Sequence, residues 1–518
     1  MRSDPSGCRC FAGLSAARGD WEPGCPVSER IVSRVRRSWA LIAVGLGLGG
    51  IVLSWFVRPA RAGDTGPLMD GTEAIARCLA RLDLVSCEDG EAIGPWPVLQ
   101  HLPDLAAHTV GLSDGARVRV LATLSVVGIV AAVWAAFVTL RRTGSPEWRW
   151  GFLLVVVSGP ALAYGNATWG EMLAAGLLTL FVAAGLLRVH PVLFGAAAFG
   201  AGLTKETGYP FVVALGLIAL VLSRRWHAGP LRRHLLLGSA GILAAVVGSS
   251  LLNVMRFGTP RNAYYLDPGL RTQSPEWFLE LVAGLFVAPN GGIVFFWPTA
   301  VVVFALLTLT PVVRALRGDL AWRAAWVAVA LLVVVTGLVG GLAAWWAPFG
   351  WWAWGPRLSL PWVFPLVLLA LAAFGPAMRR GVLVMLGSNG RLAVASTLTV
   401  IVSLPHVGLL WRPETVGEFF FLTVTDVCPG GGPPPTAAYY ACLREELWSR
   451  HPIWLDALRG LAGWEGLATV LAVSLVVAGC LVLLRQEAAA RIEGGAEARR
   501  STAMSGGPSI DPGPLDVA

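Results

Sequence analysis

The sequence predicts an all-α polytopic membrane protein, a bundle of about twelve transmembrane helices whose external loops carry short helices. Three observations predict it. Of 518 residues, 55% are hydrophobic and only 14% charged, with a mean hydropathy of +0.65, a balance that excludes a soluble globular chain. Apolar runs of span length recur from end to end, with no soluble domain of any size between them. Arginines gather in short connections, so the net charge of +8 encodes orientation in a bilayer and gives no reason to invoke nucleic acid as a partner.

Residues 1–37 form a polar tail that ends in Arg30, Arg34, Arg36 and Arg37, and the apolar run 39–57 follows. Arginines before a first span place the N-terminus in the cytoplasm. Ala60-Arg61-Ala62 imitates a signal-peptidase site, but the run is span-length, so the reading is a retained helix. Residues 58–116 make a first external loop, and the chain crosses back over 117–139 to Arg141 and Arg142. Further spans fit 150–164, 171–187, 191–204, 208–223 and 235–252, with the basic segment RRWHAGPLRRH between the last two. A second external loop, 253–281, leads to GLFVAPNGGIVFFWP, where Pro289, Gly291 and Gly292 impose a turn before the eighth span. Spans at 324–344 and 358–375 flank a third external segment, 345–357. An eleventh span at 392–410, a last external loop at 412–464 and a twelfth span at 466–484 complete a transmembrane domain over 38–485. Residues 486–518 have the Gly/Ala/Arg composition of a disordered cytoplasmic tail. Twelve crossings put both ends inside a cell membrane.

Eight cysteines sort by location. Cys78 with Cys87, and Cys428 with Cys442, lie in the two longest external loops, which makes them disulfide candidates in an oxidising compartment.

Residues able to carry chemistry cluster at the outer end. The stretch WWAPFGWWAWGPR, Trp345–Arg357, holds five tryptophans, and its glycines and prolines break any regular helix. Broken backbone at membrane depth is tolerated where it lines a cavity, so Arg357 and its neighbour Trp354 fall at a rim. Lys205 is the one lysine beside 39 arginines and sits with Glu206 in GAGLTKETGYP. With Arg256 it supplies cations suited to a phosphate, whereas ordinary loop charge describes Arg261 and Arg271. Asp70 and Glu73 are one helical turn apart in LMDGTEAIARCLARLDL, where two carboxylates can serve as general base. The structural alternative makes Asp70 an N-cap, Glu73 its N3 partner and Arg77 the ion-pair mate of Glu73. Asp64 is a second acidic candidate, Asn290 lies in the Pro-Asn-Gly turn, and Glu171 opens a span where the helix dipole favours a carboxylate. His101, Asp104 and His108 have a metal-like spacing, but Pro103 disturbs it and a third strong ligand is not evident.

Four of these stretches, in this order, resemble the GT-C superfamily of membrane glycosyltransferases, which includes protein O-mannosyltransferases and aminoarabinose transferases. MDGTEAIARCLARLDL with GPWPVLQHLP is similar to the family's acidic first external loop. NVMRFGTPRNAYY with GLFVAPNGGIVFFWP is similar to the segment and turn of bacterial relatives, and WWAWGPRLSLPWVFP to their Trp/Gly-rich loop. The resemblance implies a sugar donor carried on polyprenyl phosphate and a glycan, lipid or protein acceptor at the outer face. It implies Asp70 as base and Arg357 and Lys205 as phosphate ligands. It names no certain cofactor and leaves room for a divalent metal. Two departures stand out: Gly71 and Thr72 separate Asp70 from Glu73 where relatives carry adjacent acids, and Ala288 replaces a serine before Pro289. A transporter or lipid flippase, and a silent scaffold of the same architecture, are the alternative functions. No internal repeat supports the transporter.

Overall fold

The structure, a computed structural model, describes residues 26–58, 65–85, 87, 90–94, 96–168, 170–204, 206–263, 269, 271–272, 274–345, 347–349, 356–412, 436–449 and 452–504. The chain is an all-α polytopic membrane protein. Its helices are α1 (Pro26–Val57), α2 (Thr65–Ala80), α3 (Val98–Thr109), α4 (Asp114–Arg142), α5 (Trp148–Val157), α6 (Ala161–Tyr164), α7 (Glu171–Leu186), α8 (Pro191–Gly202), α9 (Tyr209–Leu222) and α10 (Arg232–Phe257). Then come α11 (Pro275–Val287), α12 (Ile293–Phe296), α13 (Pro298–Leu316), α14 (Trp322–Ala343), α15 (Leu360–Leu386), α16 (Asn389–Trp411), α17 (Ala437–Leu447), α18 (Ile453–Ala457) and α19 (Trp464–Met504).

Among the described residues, eight helices are long and apolar enough to cross a bilayer alone. Helices α5, α7, α8 and α9 occupy the other four expected spans but run only 10, 16, 12 and 14 residues. Short segments are tolerated because protein, not lipid, surrounds much of their backbone. The core runs through α7 and α15. In the span that includes α15, 83% of the apolar window is buried, against 22% in α10. Helices α4, α8 and α9 pack on α7, while α1 lies along α19 and α10 along α8.

Glycine permits two of the closest approaches. Trp297 donates its indole N–H to Val155 O at 2.7 Å, and a Cβ on Gly159 would come within 2.1 Å of that ring. Trp55 likewise donates to Leu162 O at 2.8 Å beside Gly165. Burying an indole this way satisfies its one polar atom while its large apolar face fills the core.

Three sequence expectations are revised. The C-terminal segment is helical to Met504, because the run after Arg485 is rich in strong helix formers and extends an existing helix without a new nucleation cost. Similarly, α1 begins at Pro26, well before its apolar run. Asp70 is not an N-cap, since α2 starts at Thr65 and places it in the second turn. The turn expected at 288–292 is present between α11 and α12.

Contacts divide the bundle into two ends. At one, the loops meet: Cys87 N–H donates to Met255 O at 2.9 Å, Thr272 N–H to Ala344 O at 3.0 Å, and Asn290 N–H to Leu447 O at 3.3 Å. At the other, Arg149 pairs with Glu487 at 2.9 Å and Arg379 with Glu147 at 2.6 Å.

Candidate functional site at the loop-bearing end

Helices α7 and α15, which carry much of the core, begin at this end, and each opens on a charge. Glu171 occupies the first turn of α7 and Arg357 the short 3-10 turn that leads into α15; Arg357 Nε donates to Glu171 Oε1 at 2.9 Å. Glu171 is 1% exposed and Arg357 8%. The positive pole of α7 favours the carboxylate, while the start of α15 disfavours a guanidinium unless an anion offsets it. Glu171 therefore fixes Arg357 in place.

An apolar groove of about 290 Å³ runs up to this point between α11, α13, α14 and α15. Phe304, Val335, Val339, Trp362 and Leu366 line it, and Ser359, two residues from Arg357, closes its head.

The first loop covers the same end. The side chains of Thr65 and Thr168 are hydrogen-bonded, and Gln100 of α3 lies over Gly170, where a Cβ would meet its amide nitrogen at 2.6 Å. Asp70 is exposed, with no hydrogen-bond or ion-pair partner among the described residues. Glu73 is turned elsewhere: its Oε1 accepts from Arg117 Nη1 at 2.7 Å and lies 4.0 Å from His108 Nδ1.

Arg117, which sequence reading passed over, organises this loop. It is 1% exposed, and its Nε and Nη2 grip both oxygens of Asp104 at 2.8 Å. Nη1 also reaches Asp114 at 3.3 Å, and Nη2 reaches Met69 O at 3.3 Å. All five N–H groups are thus engaged. The signal of Arg117 in the sequence was slight, an arginine one turn into an apolar helix, with Glu73 44 residues away.

His101 and Asp104 do not converge on a metal position. Asp104 is committed to Arg117. Thr72 donates its hydroxyl to Leu68 O at 2.9 Å, so the hydroxyl accepts Nδ1–H of His101 at 3.1 Å. Burial, then the nearby Arg256, lowers the His101 pKa to about 3, so the ring is neutral at physiological pH.

Arg256 is equally committed. Nε and Nη2 donate to Asn253 Oδ1, Nη1 to Gly94 O at 2.8 Å and Trp96 O at 3.0 Å, and Nη2 to Glu206 Oε1 at 2.9 Å. Five N–H groups are spent inside the chain, and they join the first and second loops. Glu206 Oε2 also accepts from Asn253 and Asn262, each at 3.2 Å. Asn290 is a bolt as well: its amide donates to Glu446 O at 2.9 Å and accepts from Ile453 N–H at 2.8 Å. Cys78 and Cys87 form a disulfide that ties α2 to the strip against Met255. Cys442 is disulfide-bonded too. Asp64, Lys205, Trp354 and Cys428 lie outside the described residues.

No family model and no curated protein matches the chain. Among solved structures it is similar to ArnT from Cupriavidus metallidurans in the apo state, at 18% identity and a TM-score of 0.41 over 90% of this chain and 80% of that one. It is similar to the same protein bound to undecaprenyl phosphate at 18% identity and a TM-score of 0.42, over the same shares.

Proposed function

We propose that the chain is a membrane glycosyltransferase that moves a sugar from a polyprenyl-phosphate carrier to an acceptor hydroxyl at its loop-bearing end, which faces away from the cytoplasm. The observation that carries the reading is the apolar groove ending beside a buried, carboxylate-anchored arginine: a long apolar tail and an anionic head need those two surfaces in that order. The four ordered sequence motifs point the same way.

In this reading the Asp70 carboxylate takes the proton of the acceptor O–H as that oxygen attacks the anomeric carbon. The bond from that carbon to the phosphate oxygen breaks with inversion, and the lipid phosphate leaves with the electron pair. Arg357, with Lys205 as second cation, compensates the charge that develops on the leaving phosphate. Glu171 holds Arg357 in position, and the cage of Arg117 holds α2 and thereby Asp70, so catalysis rests on positioning and electrostatics. Glu73 and Arg256 are positioning residues, each already committed to a partner.

Native mass spectrometry of the full chain in mild detergent tests this directly. Wild type takes up added polyprenyl phosphate. Thr336→Trp, which fills the groove from an exposed position, loses it, and Arg357→Gln weakens it by at least about tenfold, the loss expected for one charge-assisted contact. Unchanged uptake by both variants would overturn the site.

A further inference from the structure

The opposite end holds a second groove. It lies between α7, α8, α9 and α10, has a volume of about 260 Å³, and is lined by apolar side chains including Phe181, Phe194, Leu217 and Ile242. Along α10 its lining runs from His234 to Val246, about 18 Å at the helical rise. That is roughly the depth of one leaflet of a ~30 Å hydrocarbon core.

At the head of the groove the chain gathers cations without anions. His234 lines it, the adjoining turns carry Arg188, Arg224, His227, Arg232 and Arg233, and among the described residues none of these is in an ion pair with a carboxylate. Arg188 is held with a φ of 44° in the left-handed region, costly for a side chain of this size. Its Nε donates to Ser223 Oγ at 2.9 Å and Nη1 to Gly229 O at 2.9 Å, while Nη2 has no partner among the described residues. Burial, then Arg224, lowers the Arg188 pKa, and burial, then Arg188, lowers that of His227. These cations therefore repel one another in the absence of an anion.

Two further features point to a ligand. The first turn of α10 carries Arg232, Arg233 and His234 at the positive pole of the helix dipole, and Leu231 provides no side-chain cap. His234, 9% exposed, lines the groove; Nε2–H donates to Val189 O at 2.9 Å, and buried Nδ1 has no partner among the described residues.

We propose that this groove binds an anionic phospholipid, its phosphate among Arg188, Arg224, Arg232, Arg233 and His234 and an acyl chain along α10. Charge complementarity selects the headgroup, and the leaflet-deep apolar floor selects a lipid over a free phosphate. The site stands independently of the proposed transferase reaction, since it lies at the other end of the bundle from Arg357.

The test uses the full chain in detergent, titrated with phosphatidylglycerol or phosphatidylcholine of the same acyl chains and followed by native mass spectrometry. Phosphatidylglycerol is expected to be retained at least about tenfold better. Arg232→Gln with Arg233→Gln abolishes that preference, Ser239→Phe weakens both lipids by filling the groove from an exposed position, and Arg314→Gln with Arg317→Gln changes neither. Equal retention of the two lipids overturns the proposal. So does an equal loss in the Arg314/Arg317 variant, which would indicate bulk surface charge. Displacement of phosphatidylglycerol by millimolar inorganic phosphate or by polyprenyl phosphate, with Ser239→Phe silent, would assign a different ligand.

Discussion

The two ends of the bundle use arginine in opposite ways. At the loop-bearing end Arg117, Arg256 and Arg357 are buried, and each meets a carboxylate at 2.7–2.9 Å. At the other end Arg37, more than half exposed, shares Glu487 with Arg149, and Arg379 meets buried Glu147 from a partly exposed position, while the cations around Arg188 meet no carboxylate among the described residues. A buried ion pair is no cheap source of stability, because desolvation consumes most of the Coulomb gain. Its retention three times at one end argues that geometry is what is conserved in the folded state there. Unpaired cations at the other end argue for partners supplied by the bilayer.

The comparison can be broken at its most buried point. Arg117→Ala strands Asp104, which is 0% exposed, and is expected to destabilise the protein by about 3–5 kcal/mol, read from denaturant unfolding in detergent. Replacing both partners, Arg117→Leu with Asp104→Leu, should recover most of that loss, because no charge is left buried alone. A cost for the double variant as large as for Arg117→Ala would mean that packing, not charge, holds the loop.

A smaller effect follows from His101. Its folded pKa of about 3 lies below the ordinary 6.5, so the unfolded chain binds the extra proton between those values. Stability is therefore complete above pH 7 and falls as pH drops through 6.5 toward 3. From pH 7 to pH 4.5 the loss attributable to His101 is about 2–3 kcal/mol. His101→Phe keeps an aromatic ring at the site without a titrating nitrogen, and Thr72 still donates to Leu68 O, so the variant should unfold with a shallower acid dependence. An unchanged slope would remove His101 from the account.

The smallest effect marks the other end. Arg37→Ala removes an exposed contact from a carboxylate that keeps Arg149, and is expected to change stability by no more than about 0.5 kcal/mol. A loss comparable to that of Arg117→Ala would erase the distinction between the ends.

The fold was largely legible because apolar runs and intervening arginines follow from the bilayer itself. The site was legible only in part. Glu171 and Arg357 each stood out locally, but the pairing spans 186 residues and no local pattern encodes it. Asp70 and Glu73 share a helical turn in sequence, yet Arg117 claims Glu73 and leaves Asp70 exposed, a division set by a helix packed from elsewhere. Arg256 read as a ligand because its type and place suited a phosphate, whereas the backbone carbonyls of Gly94 and Trp96 that occupy it carry no side-chain signature. The helix beyond Arg485 was hidden by composition, since Ala, Glu and Arg serve disorder and helix alike.

The most direct test of the central claim is sugar transfer from a polyprenyl-phosphate donor by the purified chain in liposomes, comparing wild type with Asp70→Asn. Asp70 is exposed and makes no contact among the described residues, so the variant should fold as wild type does. The account predicts transfer by wild type and a loss of at least about a hundredfold in Asp70→Asn, the scale of a general base, with polyprenyl phosphate still bound. Transfer at the wild-type rate by Asp70→Asn, or none by wild type across the polyprenyl-phosphate sugars while the lipid binds, would contradict it.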